Sequence, residues 1–158
     1  MLDTIRRVPL FKDLSEEQLE RIAPLVDVVT CPANQPIFEQ DEQANYLYLL
    51  IRGTVALDYK PYDGTRITLT RLHAGDAFGW SSVVGGPAYT SSIHSETEVE
   101  AVRIRGSALQ KMCRENPEVG CVLLDRLAES VSGRWKNSRE QVQAILHREI
   151  NNVHREKK

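Results

Sequence analysis

The chain reads as a mainly β fold with flanking helices, a double-stranded β-helix or jelly roll followed by a long C-terminal helix. Three observations predict it. From Leu25 to Arg105, short β-branched and aromatic runs alternate with turn residues, and no helical period intervenes. Residues 13–23 and everything after Ser107 switch to helical spacing. The apolar positions of the last stretch then recur in steps of four and three, as along a helix that faces another helix.

Taken in order, Val8-Pro9-Leu10-Phe11 is expected as an extended apolar hook against the core. Residues 13–23 form a helix with Ser15 as cap and Gln18 completing a capping box; Pro24 ends it. Strands follow at Leu25–Cys31, Pro36–Glu39, Tyr46–Arg52, Thr54–Tyr59, Arg66–Leu72, Tyr89–His94 and Glu98–Ile104. Asp63-Gly64 marks a hairpin turn, and Gly53 alone divides two strands. Val99, Ala101, Val102 and Ile104 lean toward one buried face. Ser107 to Glu115 is a helix that stops at Asn116-Pro117, where the proline opens another. On that last helix Leu124, Ala128, Val131, Trp135, Ser138, Val142 and Ile145 form a heptad seam, which predicts a homodimer. The chain therefore divides into an N-terminal helical segment (1–24), a β core (25–105) and dimerising C-terminal helices (106–158).

Composition narrows the function classes. With 158 residues, 41% hydrophobic and 27% charged, the chain is of the size and make-up of one soluble domain. No apolar run approaches the roughly 20 residues of a membrane span, and no apolar stretch follows Arg6-Arg7, so a cytoplasmic location is expected without signal peptide or membrane contact. Cys31, Cys113 and Cys121 are odd in number and widely spaced, which points to buried structural thiols rather than a disulfide or metal site. The four histidines form no ligand set, and no nucleophile–base pair or paired carboxylates stand out, so no enzyme activity is expected. The charge is uneven: residues 1–131 balance at −6 and residues 132–158 at +4, the latter read as a solvated helix face.

Two motifs carry a resemblance. Ile37-Phe38, Asp41 and then Gly53 after Tyr46-Leu47-Tyr48-Leu49-Leu50-Ile51-Arg52 form the first. Gly75-Asp76, Phe78-Gly79, Ser82-Val83 and Thr90-Ser91-Ser92-Ile93-His94-Ser95 form the second. Over about residues 8–145 the chain resembles the cyclic-nucleotide-binding domain, the sensor half of the catabolite-activator family of bacterial regulators. Asp41 stands where that family's pattern has a glycine, and aspartate tolerates the left-handed backbone the turn requires.

The resemblance implies a ligand loop at Phe78, Gly79, Trp80, Ser81, Ser82, Tyr89, Thr90 and Ser91. In that family a glutamate takes the ribose hydroxyl and an arginine forks the cyclic phosphate; here those positions hold Trp80 and Tyr89. A hydrogen bond to a charged group contributes roughly 1.5–3 kcal/mol and a neutral one about 0.5–1.5. A buried unpaired anion costs several kcal/mol, whereas micromolar binding amounts to about −8 kcal/mol in total. Weak or lost binding of cyclic AMP and cyclic GMP is therefore expected, unless Arg52, Arg66 or another strand arginine reaches in. Gly85-Gly86 offers a backbone nest, and Trp80 and Tyr89 offer flat walls or a plug. Three readings stay open: a ligand-responsive regulatory sensor, a sensor of a different neutral or aromatic molecule, and a ligand-free dimeric scaffold for a partner protein. Family members continue into a helix-turn-helix that this sequence lacks, so DNA binding is not expected.

Overall fold

The computed structural model describes residues 2–61 and 63–126; the seam positions Ala128, Val131, Trp135, Ser138, Val142 and Ile145 lie outside them. Helix α1 (Leu2–Arg6) is followed by a 3-10 turn (Pro9–Phe11), α2 (Glu16–Ile22) and a second 3-10 turn (Ala23–Leu25). The strands are β1 (Val26–Cys31), β2 (Pro36–Phe38), β3 (Tyr46–Arg52), β4 (Val55–Tyr59), β5 (Ile67–Leu72), β6 (Ala77–Phe78), β7 (Ser92–Ser95) and β8 (Val99–Arg105). The short α3 (Ser81–Val84) lies between β6 and β7, and α4 (Gly106–Glu115) follows β8. Residues 117–126 are helical and constitute the described part of α5.

The strands form two four-stranded antiparallel sheets, ordered β1-β8-β3-β6 and β2-β7-β4-β5, the jelly-roll arrangement expected. Each sheet collects strands from distant parts of the chain, so the hairpin β4–β5 is the local pairing and the rest close long loops.

Two cores result, one on each face of the first sheet. Leu47, Leu49, Ala77, Val102 and Ile104 pack on the helices through Ile5, Phe11, Leu19, Ile22, Leu109 and Leu123. On the opposite face Tyr48, Leu50, Phe78, Val99 and Ala101 meet Phe38, Val55, Leu72 and Ile93 of the second sheet. The expected single buried face of β8 is thus corrected: Val99 and Ala101 point between the sheets, Val102 and Ile104 toward the helices. The strand pairs at both edges, with β1 and β3, and its two faces are covered by the two cores.

Local chemistry fixes the ends. The Ser15 hydroxyl accepts the Gln18 N–H at 3.1 Å while the Gln18 side chain accepts the Ser15 N–H at 2.9 Å, the reciprocal box read from the sequence. Asp41 takes φ +73°, as the turn demands. The Val8–Phe11 hook is not extended; Pro9 sets φ for a 3-10 turn, and the Phe11 N–H bonds to the Val8 carbonyl. Helix α1, with a single turn and no cap signature, gave no periodic pattern to read. The expectation of buried thiols fails at Cys121, which is exposed, while Cys31 and Cys113 are half-buried. Burial, and then the neighbouring Cys121 thiol, push the Cys113 thiol up.

Candidate ligand site between the sheets

The loop after β6 is built against the start of β3. Phe78 is buried between the sheets. Gly79 has φ +86°, and a Cβ there would sit 2.6 Å from the Tyr46 carbonyl oxygen, so this position admits only glycine. The buried Ser82 hydroxyl donates to the Gly79 carbonyl at 2.7 Å, closing the turn. Gly85, at φ +82°, ends α3, and the N–H groups of both Gly85 and Gly86 are spent on the Ser81 carbonyl. The nest expected at Gly85-Gly86 therefore has its donors engaged.

Tyr89 is turned inward and is 5% exposed. Its ring stacks on Phe38 with centroids 3.6 Å apart, beside the stacked pair Tyr48–Phe78 at 5.0 Å. The hydroxyl accepts the Tyr46 N–H at 3.0 Å and donates to the Tyr46 carbonyl at 2.7 Å. Its main chain is held as well, since the Tyr89 N–H donates to the Glu42 carbonyl and its carbonyl accepts the Asp41 N–H, each at 2.9 Å. The aromatic residue at the arginine position thus fills the space between the sheets and spends its one donor on the backbone.

Trp80 goes elsewhere. It is half-buried and packs against the helix-side core, on the other face of the first sheet from Tyr89. The sequence paired the two rings as walls of one pocket; the structure separates them by a β-sheet. Phe78, Gly79 and Tyr89 come together, Ser81 and Ser82 belong to α3, Thr90 is exposed and Ser91 half-buried.

The strand arginines are placed just as definitely. Arg52 pairs with Glu98 at 3.1 Å and Glu100 at 3.8 Å, near Gly53. Arg66 reaches the loop rim but binds Glu39 at 3.1 Å, the same carboxylate oxygen that accepts the Ser92 hydroxyl at 3.1 Å. Arg103 and Arg105, not considered as ligand residues in the sequence, continue the inward face of β8 beyond Val99 and Ala101. Their guanidiniums lie 4.1 and 4.9 Å from the Tyr46 ring centroid. The signal was strand parity: odd positions from 99 to 105 share a face. His94 on β7 donates from Nδ1 to the carboxylate of buried Asp58 at 2.8 Å, and the other carboxylate oxygen accepts the Thr68 hydroxyl at 2.7 Å.

Burial pushes the Tyr89 phenol up to about 12, against the opposing pull of its hydrogen bond to the Tyr46 backbone. Burial also raises the Tyr48 phenol, opposed by the hydrogen bond and charge of Arg103. For Tyr89 the sign is clear. The folded state keeps its proton longer than the unfolded state, which titrates near 10. Stability from this group is complete below pH 10 and is lost as pH rises toward about 12. The rise from 10 to about 12 corresponds to about 3 kcal/mol. Urea unfolding across that window should show the wild type losing stability more steeply than Tyr89→Phe; parallel slopes would contradict the burial of this phenol.

Among the described residues, one concavity lies on the helix side. A cleft of about 390 Å3 is lined by Pro9, Leu10, Lys12, Asp13, Leu49, Gly75, Ala77 and Arg126, away from the loop. Arg126 of α5 donates there to the Leu10 carbonyl at 2.8 Å and to the Lys12 carbonyl, tying the last described residue to the N-terminal hook.

Comparison with known proteins agrees with this geometry. Residues 28–116 match the cyclic nucleotide-binding domain family. A CRP-like cAMP-activated global transcriptional regulator of Mycobacterium tuberculosis is 28% identical over 128 residues, 81% of this chain and 57% of the relative. The chain thus spans a little over half the length of that curated relative. A crystal structure from Geobacter metallireducens, described as a cyclic nucleotide-binding protein, superposes with a TM-score of 0.72 at 31% identity, over 84% of this chain and 96% of that one. A cyclic nucleotide-binding domain from Methylobacillus flagellatus gives a TM-score of 0.75 at 21% identity, over 90% and 80% of the two chains, and so bears on the fold alone.

Proposed function

This chain belongs to the cyclic nucleotide-binding domain family, and we propose that within it the chain is a regulatory domain that does not take cyclic AMP or cyclic GMP in the family's manner. The observation that carries the reading is Tyr89. A cyclic phosphate needs a charged fork at that point and room between the sheets. Tyr89 supplies no charge, fills the space against Phe38, and closes its hydroxyl on Tyr46. The Glu39–Arg66 pair and the Gly85–Gly86 turn are already committed. Between a pocket for another neutral ligand and a closed scaffold, the packing of Phe38, Tyr48, Phe78 and Tyr89 favours the scaffold.

The regulatory output runs through the helices. The loop helix α3 abuts α4, where Gln110 donates from its side chain to the Val83 carbonyl. Helix α5 buries Val119 and Leu123 on its own domain and leaves Leu124 40% exposed. That outward position begins the heptad seam, and a homodimer through Leu124, Ala128, Val131, Trp135, Val142 and Ile145 is part of the proposal, with a partner protein docking on it. Among the described residues no helix is long and apolar enough to cross a membrane. The homologous regulator supports a regulatory rather than catalytic role, and a cytoplasmic location is proposed with it.

Calorimetry with cyclic AMP and cyclic GMP tests the reading. We expect no saturable heat at micromolar ligand, because the missing charged fork alone represents about 1.5–3 kcal/mol. Sub-micromolar uptake of either nucleotide would overturn it.

A further inference from the structure

We propose that Arg103 and Arg105, held around the ring of Tyr46, form a site for a phosphate dianion carried by a small phosphomonoester. In register, Tyr46 faces Arg105 and Tyr48 faces Arg103 on the neighbouring strand. This places two cations and two phenols on one patch, at the end of the first sheet's inward face. The Arg103 guanidinium lies 4.1 Å over the Tyr46 ring and that of Arg105 4.9 Å from it. Stacking holds both guanidiniums by their faces, and apart from the bond of Arg103 to Tyr48 it leaves their N–H groups for an anion. Two like charges gathered on one ring repel, so the arrangement favours an anion that bridges them.

One nitrogen of Arg103 also lacks an acceptor, although the guanidinium bonds Tyr48. Its Nε is buried and, among the described residues, has no hydrogen-bond partner. A buried N–H of this kind calls for an oxygen. Two acids stand near the patch. Asp27, paired with Arg103 across β1 and β8, holds an oxygen 3.7 Å from Nε, beyond hydrogen-bond reach, and its side chain is 65% exposed. Glu42, which acts on Tyr48, is turned to the Glu39 N–H at 2.9 Å. Asp27 is therefore the group an incoming anion displaces.

The charge count selects the ligand class. A monoester phosphate at neutral pH carries close to two negative charges and three unesterified oxygens, enough for two guanidiniums and the Arg103 Nε–H. A cyclic phosphodiester carries one charge and two free oxygens, and a carboxylate one charge and two oxygens. The patch thus departs from the ligand of the family while using the same sheet.

The test is calorimetry on the full chain at low ionic strength, where exposed charge pairs are least screened. Inorganic phosphate and phenyl phosphate are the probes, and their comparison separates recognition of the free ion from recognition of an ester. Saturable binding of phenyl phosphate is expected, with inorganic phosphate weaker. Arg103→Gln should weaken phenyl phosphate about tenfold to a hundredfold. Asp27→Asn should tighten it, a gain that damage to folding cannot imitate. Absence of saturable binding in the millimolar range by the wild type would overturn the proposal. So would inorganic phosphate binding as tightly as the ester, or an Asp27→Asn affinity equal to or below that of the wild type.

Discussion

Tyr89→Ala is expected to cost about 3–5 kcal/mol of folding stability, the range for deleting a large buried aromatic side chain. The ring is nearly inaccessible and stacked on Phe38, so its removal opens a void bounded by Phe38, Tyr48 and Phe78. The loss also strands a donor and an acceptor, since the Tyr46 N–H and carbonyl both end on the Tyr89 hydroxyl. Tyr89→Phe separates the two contributions: it keeps the stack and forfeits only the hydrogen bonds, for about 1–3 kcal/mol. Urea unfolding of the three proteins gives the comparison. A cost below about 1 kcal/mol for Tyr89→Ala would place it among exposed substitutions and would mean that Tyr89 does not fill the interior. The functional reading would then lose its support, because an interior that tolerates removal of the ring is one a ligand can enter.

That test also marks where the sequence was legible. The β-branched runs and their turn residues located seven of the strands because each strand's own residues carry the alternation, independent of what lies across the sheet. The Ser15 cap and the Asp41 turn were readable for the same reason, as chemistry confined to a few consecutive residues. The two-residue β6 escaped because nothing so short can show a period. The direction of a side chain at a bend is another matter. Trp80 and Tyr89 stand nine positions apart with α3 between them, and one ring joins the helix-side core while the other lies between the sheets. Arg103 lay in plain alternation on β8, yet its meaning required Tyr46 and Asp27, which reach it from strands far away in sequence. The heptad positions from Ala128 onward fall outside the described residues, so the dimer stands on the sequence and on the outward Leu124.

Gly106→Ala, at a buried helix start, should cost about 3 kcal/mol or more, at the upper end for overpacking. A Cβ at Gly106 would lie 1.8 Å from the Ser82 carbonyl oxygen and 2.3 Å from its carbon. Those atoms are backbone of α3, not the end of a flexible side chain, so α3 and α4 must move apart. Gly106 is the first residue of α4, and its N–H is fixed on the Asn45 carbonyl at 3.0 Å, which limits retreat on the other side. The displacement would fall on the Ser82–Gly79 hydrogen bond and on Gln110–Val83, the contacts that join the loop to the helices. Thermal unfolding and the fluorescence of Trp80, which sits at the start of α3, report the two consequences together when the second tryptophan is removed by Trp135→Phe. A shift in Trp80 emission accompanied by lost stability is the expected pair. A normal melting temperature with unchanged emission would show that α3 and α4 are not in backbone contact, and the proposed route from loop to α5 would have no first step.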